Sequence, residues 1–199
     1  MDWIIDNKKQ KVWNVLAENI ISWSKVSIIS SYFTIFAYNK LKEELKNIED
    51  FRFLFLEPTF TKPKEESKEF YIEKLSREKQ ISGNEFEIKL RNELNQNTIA
   101  KECADWIKNK AQFKSIKKSG YSNNTKAIHI QNDSEWCVIK WSFDFSSSGL
   151  WYSNSNMLEL NMFIDTPSAT KELLDWFNEV WENTELTENV KEEVLNNIQ

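Results

Sequence analysis

In the first quarter of the chain, segments with helical spacing of apolar residues take turns with short segments of strand-like pattern. Apolar residues at three- and four-residue spacing predict amphipathic helices at residues 7–23 and 36–47. Each predicted helix is followed by a short, nearly continuous apolar run, at residues 25–33 and 51–56. Such runs are typical of central strands that are covered on both faces. The N-terminal part therefore predicts helices that alternate with buried strands.

The middle of the chain has a different pattern. Residues 62–97 are rich in charge and poor in β-branched side chains, and Gly83 interrupts them. This composition predicts a helical insert over one edge of the sheet. Residues 98–109 carry a clear apolar stripe, which predicts a helix with Thr98 as its N-cap. The alternating stretch at 112–117 predicts another strand.

The following residues predict a hairpin, a polar loop and a further strand. Two β-rich runs, at 125–131 and 135–142, flank the turn residues 132–134. A loop rich in serine, glycine and asparagine follows at 146–156, and the apolar run 157–165 predicts a buried strand. Polar loops at strand ends are where α/β proteins usually hold their sites, so a functional site is expected here.

Two more helices are predicted at the end of the chain. Thr166 and Pro167 open the first of them, and residues 184–198 predict a final acidic helix. Helices that alternate with strands, followed by a run of strands, favour an α/β fold with a mixed β-sheet flanked by helices. A chain of 199 residues fits a single domain, 1–199, with room for a substantial core.

Composition and charge narrow the class of protein. Hydrophobic residues make up 40% and charged residues 29% of the chain, which predicts a soluble globular domain. Nine Trp and thirteen Phe predict a core dominated by aromatic packing. The net charge of -5 disfavours nucleic-acid binding over the whole surface. Residues 108–126 nevertheless hold six lysines and no acidic residue, which predicts a local basic face beside the hairpin.

The two cysteines and the lack of apolar segments predict the cellular setting. Cys103 lies in a predicted helix and Cys137 in a predicted strand, so we expect buried thiols and neither a disulfide framework nor a zinc site. The opening residues lack the apolar segment of a signal peptide, and no apolar run is long enough to span a membrane. We expect a cytoplasmic protein that binds no membrane, metal or other cofactor.

Residues 124–161 carry a series of short motifs in a recognisable order. In sequence these are Asn124-Thr125-Lys126, then residues 141–146 (WSFDFS), then Gly149-Leu150 and Glu159-Leu160-Asn161. Their order and spacing resemble the single-motif members of the phospholipase D-like superfamily. These occur at the N-termini of Swi/Snf-type helicases and in related bacterial nucleases. The family pattern is His-x-Lys, Gly-Ser-x-Asn-Phe-Thr, Gly-Leu and an Asn/Glu-containing strand. The resemblance extends over most of the chain and implies the phospholipase D-like sandwich.

The resemblance also implies a reaction and its machinery. In the family, a histidine attacks phosphorus to form a phosphohistidine, and a second histidine protonates the leaving oxygen. Lysine and asparagine hold the phosphate oxygens, and no metal is needed. A chain with one motif must therefore form a homodimer to bring two histidines together.

The motif departs from the family at three positions of this chain. Asn124 stands where the nucleophilic histidine would be, and an amide cannot form that intermediate. Asp144 replaces the asparagine, and Trp141 replaces the glycine that lets backbone approach phosphate. Lys126 is retained. By this resemblance the phosphate-binding candidates are Lys126, Ser142, Asp144 and Ser146, and the other pocket candidates are Glu159, Ser31 and Tyr32.

A second register of the motif gives a different catalytic candidate. It places His129, the one histidine of the chain, at the nucleophile position, with Gln131 instead of the lysine. The first register is preferred because it retains Lys126 and has the family's normal spacing. In that register, strand alternation places His129 on the opposite face from the nucleophile position.

Three functions follow from these alternatives. The first is a catalytically degenerate phospholipase D-like domain that recognises DNA or a helicase-type partner or fused module, and is no longer an enzyme. The second is an active, metal-independent phosphodiesterase or nuclease that uses His129 across a homodimer. The third is a protein-binding assembly module. Trp136, Trp141 and Trp151 could stack on exposed bases in the first reading, although core packing is the simpler expectation for them.

Overall fold

The computed structural model describes residues 2–6, 11–56, 95–117, 126–133, 135–141, 145 and 160–198. The strands are β1 (Trp3–Asp6), β2 (Lys25–Ser30), β3 (Asp50–Phe55), β4 (Ala111–Ile116), β5 (Lys126–Gln131), β6 (Trp136–Trp141), β7 (Leu160–Ile164) and β8 (Thr187–Asn189). The helices are α1 (Val12–Asn19), α2 (Ile35–Leu45), α3 (Asn95–Lys110), α4 (Pro167–Glu182) and α5 (Lys191–Ile198).

The strands form one mixed sheet in the order β1-β7-β6-β5-β2-β3-β4-β8. Strands β2, β3 and β4 run parallel, and the remaining pairs are antiparallel. The C-terminal ends of β2, β3 and β6 therefore lie at the same end of the sheet as the first residue of β5, Lys126. We call this the Lys126 end. The opposite end, where β2 begins, is the Lys25 end.

One face of the sheet is covered by four helices, α1, α2, α3 and α5, and is called the four-helix face. Its core is aromatic, because phenylalanine occupies the inward positions of β3 and the central inward position of β4, Phe113. Phe53 is fully buried, and its ring lies 5.6 Å from the rings of both Phe33 and Phe113. Helix α3 is joined to α2 by a hydrogen bond from Trp106 Nε1 to the carbonyl of Leu45, at 3.1 Å.

Among the described elements, α4 is the one helix that covers the other face, which is called the α4 face. Phe177 and Trp181 of α4 pack on a smaller apolar cluster contributed by β2, β3 and β4. As the sequence predicts, the helix follows Thr166 and has Pro167 in its first turn. The Thr166 hydroxyl binds the carboxylate of Asp2, which also accepts a hydrogen bond from the backbone N–H of Asp165. Asp2 thereby ties the beginning of β1 to the beginning of α4.

The predicted fold class is confirmed, and several element boundaries are corrected. The first helix is shorter than predicted, and β1 was not predicted at all. Helix α3 begins at Asn95, so Thr98 is inside the helix and is not its N-cap. The prediction of a final acidic helix was wrong over nearly half of its length, since residues 187–189 pair with β4 as β8 and the helix begins at Lys191. The predicted helical insert lies outside the described residues up to residue 94.

Cys103 and Cys137 are buried free thiols, as predicted. Burial raises the pKa of Cys137 to about 12, and that of Cys103 still further, so neither thiol is a reactive thiolate at neutral pH. Within the described ranges, no helix combines the length and the apolar character that crossing a bilayer requires.

Candidate functional site

The described candidates for phosphate contact lie together at the Lys126 end of the sheet. Ile29 pairs with Ala127, so the residues that follow β2 and the first residue of β5 are adjacent there. These are Ser31 and Tyr32, both half-buried, and Lys126, also half-buried. The structure therefore brings together three residues that the sequence places almost 100 positions apart.

A short network fixes the backbone at this end of the sheet. Ser30 is buried, and its Oγ accepts a hydrogen bond from the backbone N–H of Phe145 at 2.9 Å. The same hydroxyl donates to the carbonyl of Tyr32 at 3.3 Å. Phe33 forms a β-bridge with Phe145, and their rings stack with centroids 5.7 Å apart. These contacts hold the segment after β2 against the segment after β6.

Trp141, which the preferred motif register aligns with a glycine, is part of the core. It pairs with Lys126 across the β5–β6 hairpin, and its ring lies 6.3 Å from that of Phe145. Because the indole is buried, this tryptophan offers no stacking surface to a ligand. The core-packing expectation is therefore correct for Trp141, and Trp136 is half-buried against His129.

His129 lies on the α4 face, three residues from the Lys126 end. It pairs with Ser27 and Val138, and only 2% of its surface is exposed. Since side chains alternate along a strand, His129 points to the face opposite Lys126. Burial lowers the pKa of His129 to about 4, Arg52 adds to this effect, and the backbone of Thr170 opposes it. The imidazole is thus neutral at pH 7 and shielded from solvent.

A polar row that sequence reasoning missed crosses the α4 face beside His129. Arg52 donates to Ser27 Oγ at 3.0 Å and to Asn178 Oδ1 of α4 at 2.8 Å. Its guanidinium carbon also lies 4.9 Å from the centre of the Phe177 ring. We call His129, Ser27 and Arg52 the polar row. The signal that could have revealed it is a lone arginine in the otherwise apolar strand FRFLFL, because a buried charge requires partners.

The predicted basic face is divided among different parts of the surface. Lys108 and Lys110 precede β4 and therefore lie at the Lys25 end, where they contact Asp105 and the carbonyl of Ile48. Lys126 begins β5 at the Lys126 end, and the two other described members bind backbone carbonyls near the end of α4: Lys114 contacts Trp181 and Lys117 contacts Thr184. The prediction of one basic face is thus corrected, since these side chains satisfy internal groups.

Several predicted site residues lie outside the described residues. These are Asn124, Ser142, Asp144, Ser146 and Glu159, together with Trp151. In the part of the chain that the structure does describe, no three histidine, cysteine or carboxylate side chains are grouped as a metal site would need.

Comparison with known proteins finds similarity in structure and none in sequence. No protein-family model matches the chain, and no curated protein matches its sequence. NucT from Helicobacter pylori has a TM-score of 0.52 at 12% identity, over 92% of this chain and 96% of that one. The phosphatidylserine synthase of Haemophilus influenzae Rd KW20 has a TM-score of 0.55 at 10% identity. This chain is covered to 99% in that match but spans only 42% of the synthase.

A third structure, the archaeal chromatin protein TrmBL2, shows a weaker likeness. Its TM-score is 0.41 at 13% identity, over 92% of this chain and 53% of that protein, which is too low to define a shared fold. At these identities the two stronger matches establish architecture and leave activity open. The chain is an α/β sandwich that shares its overall fold with NucT and the phosphatidylserine synthase, and its described residues place an eight-stranded mixed sheet between two unequal helical layers.

Proposed function

We propose that this chain is a phospholipase D-like domain without phosphohistidine chemistry, which binds nucleic acid through its phosphates at the Lys126 end. The observation that carries the proposal is the position of His129. The chain has one histidine, and that histidine is buried on the face opposite the retained lysine.

The geometry of His129 disfavours the alternative of an active nuclease. A phosphohistidine mechanism needs an imidazole nitrogen within reach of a phosphorus atom that the lysine also contacts. Here the ring lies beneath α4, against Trp136, with the sheet between it and the Lys126 side chain. Catalysis by His129 would require α4 to leave the sheet, which would expose Phe177 and Trp181 to water.

The Lys126 end retains groups that suit phosphate recognition. The ammonium group of Lys126 and the hydroxyls of Ser31 and Tyr32, at the same end of the sheet, are a charge and hydrogen-bond donors of the kind that bind a phosphodiester. Such contacts follow the backbone without reading the base sequence, so we expect binding that depends on salt more than on sequence. The shared fold with NucT and with a phosphatidylserine synthase agrees with a phosphate-binding ancestry for this end of the sheet.

The test is one incubation of labelled single- and double-stranded DNA with the protein in EDTA, read for both retardation and cleavage. We expect retardation without cleavage. Lys126→Ala should weaken binding severalfold at low salt and reduce the slope of log K against log salt by about one unit. Lys25→Ala is the matched control, because Lys25 also begins a strand, lies at the opposite end and pairs with Glu49. It should leave both quantities unchanged.

Two results would reject the proposal. Cleavage that persists in EDTA and disappears in His129→Ala would make the chain a nuclease. Equal affinities for wild type and Lys126→Ala would remove the Lys126 end as the binding surface.

Assembly with a protein is the second candidate function, and the turn after α1 favours it. Trp23 is 69% exposed and Ile21 is 53% exposed. Trp23 also has a φ of 70°, which is uncommon for a bulky side chain. Ser24 fixes this turn, since its Oγ donates to Asn132 Oδ1. A helicase-type partner, a fused module or a second copy could bind this rigid apolar tip. Two results together would favour this function. The protein would bind DNA no more strongly than background, and it would form a complex or a dimer that Trp23→Ser abolishes.

A further inference from the structure

A small cavity separates the beginning of α4 from strands β5, β6 and β7 on the α4 face. Its volume is about 150 Å³, and it is partly open to solvent. The small side chains of Ala127 on β5 and Ala169 on α4 leave this space unfilled. The lining residues are Ala127, Val138, Lys140, Ile164, Ala169 and Leu173. The cavity is therefore apolar apart from one ammonium group.

Lys140, the charged member of the lining, has no acidic partner among the described residues. This distinguishes it from other lysines of the α4 face, because Lys171 on α4 pairs with Asp175, and Lys114 on β4 contacts the Trp181 carbonyl. Lys140 is exposed and pairs with Ala127 across the hairpin, so its aliphatic stem follows the cavity wall while its ammonium group reaches water. An unpaired cation at the rim of an apolar cavity is suited to an anionic group.

The buried ring of His129 lies next to this cavity, although His129 is not one of its lining residues. Three lining residues surround it: Ala127 lies two residues before it on the same face, Val138 is its cross-strand partner, and Ala169 precedes Thr170. Neither ring nitrogen of His129 completes a hydrogen bond of normal geometry within the described part of the chain. Buried polar groups are nearly always satisfied, by protein, by water or by a ligand.

We propose that this cavity binds a small organic anion, with its apolar body between α4 and the sheet, its anionic group on Lys140 and a hydrogen-bonding group directed toward His129. An apolar cavity of about 150 Å³ accommodates a body about the size of a benzene ring. Because Lys126 projects from the other face, this site is separate from the proposed DNA surface. Loss of DNA binding and loss of small-anion binding are therefore independent results.

Three aromatic probes test the assignment: 4-hydroxybenzoate, benzoate and phenol. Binding is measured by NMR from the indole signal of Trp136, whose ring lies 5.7 Å from that of His129. We expect 4-hydroxybenzoate to bind more tightly than benzoate, and about tenfold more tightly than phenol, because phenol lacks the group that pairs with Lys140.

Variants separate a specific site from adventitious binding. Lys140→Gln should bring 4-hydroxybenzoate and phenol to similar affinity, whereas Lys171→Gln, which removes a nearby exposed lysine of α4, should change neither. Ala169→Leu should fill the cavity and abolish binding of all three probes, and Ala127→Val provides a second cavity-filling variant should the first fail to fold. Absence of saturable binding to wild type, unchanged affinity in a folded cavity-filling variant, or an unchanged preference in Lys140→Gln would each overturn the proposal.

Discussion

The two faces of the sheet bury their strands in different ways. The four-helix face is closed by aromatic packing, with Phe51, Phe53 and Phe113 all fully buried. The α4 face has one helix and a smaller apolar cluster. It also holds the polar row, with Arg52 bonded to Ser27 and Asn178. The four-helix face is stabilised mainly by the burial of apolar surface. The α4 face is stabilised by hydrogen bonds as well.

The two faces therefore differ in how well they tolerate substitutions and ligands. A face closed by many interlocking rings gains stability from every ring and has little space for a ligand. On the α4 face, the described helix leaves a cavity next to the sheet. Polar side chains can be buried on this face, because each of them has a hydrogen-bond partner or lies next to the cavity. We therefore expect stability to reside mainly on the four-helix face, and sensitivity to pH and to ligands on the α4 face.

The largest effect is expected from removing one ring on each face. Phe53→Ala should destabilise the protein by about 4 kcal/mol, because five neighbouring rings lose a packing partner. Phe177→Ala should destabilise it by about 3 kcal/mol, since among the described residues its ring stacks on one other ring, that of Trp181, and on the Arg52 guanidinium. Urea unfolding of both variants measures the two values. A larger loss for Phe177→Ala would reverse the ranking of the faces.

A smaller effect should follow from the burial of His129. Its folded pKa of about 4 lies below the ordinary 6.5, so the unfolded chain binds the proton more readily between these values. The stabilising contribution is complete above pH 6.5 and is lost as the pH falls toward 4. The free energy of unfolding should fall by about 2 kcal/mol between pH 7 and pH 5.

The control for this pH dependence is His129→Leu. Carboxylates titrate in the same range, so the quantity to compare is the difference between wild type and variant at each pH. Parallel curves for the two proteins would show that His129 is not buried as a neutral imidazole.

The smallest effect is expected from Arg52. Arg52→Met keeps much of the aliphatic packing against Phe177 but removes the hydrogen bonds to Ser27 and Asn178, and should destabilise the protein by about 1–2 kcal/mol. Lys171→Ala, which breaks an exposed i,i+4 pair with Asp175 on the same helix, should change stability by less than about 0.5 kcal/mol. Thermal unfolding of both variants tests the difference, and equal values would mean that the polar row adds no stability.

Local periodicity predicted the central strands and most helices, because the apolar–polar pattern of these segments does not depend on which distant segments they pack against. It failed where pairing is decided at long range. Strand β1 has four residues and pairs with β7, more than 150 positions away. Strand β8 lies in an acidic stretch whose sequence predicts a helix. Its residues nevertheless pair with the edge strand β4, with Thr187 opposite Ile116. Here the tertiary partner overrides local propensity.

The candidate site was predictable in part for a similar reason. Alternation alone predicts that Lys126 and His129 face opposite ways, and the structure agrees. Strand direction and helix placement cannot be obtained from alternation. The separation of Lys110 from Lys126, and the burial of His129 under α4, therefore required the sheet topology.

The pairing of β1 with β7 has a consequence for the order of events during synthesis. Strand β1 is synthesised about 150 residues before β7, so it must wait until residues 160–163 have left the ribosome before the two strands can pair. Throughout that interval Trp3 lacks the Phe163 ring on which it stacks in the finished protein. Because the two strands are so far apart in the sequence, pairing β1 with β7 should be a late and slow step of folding.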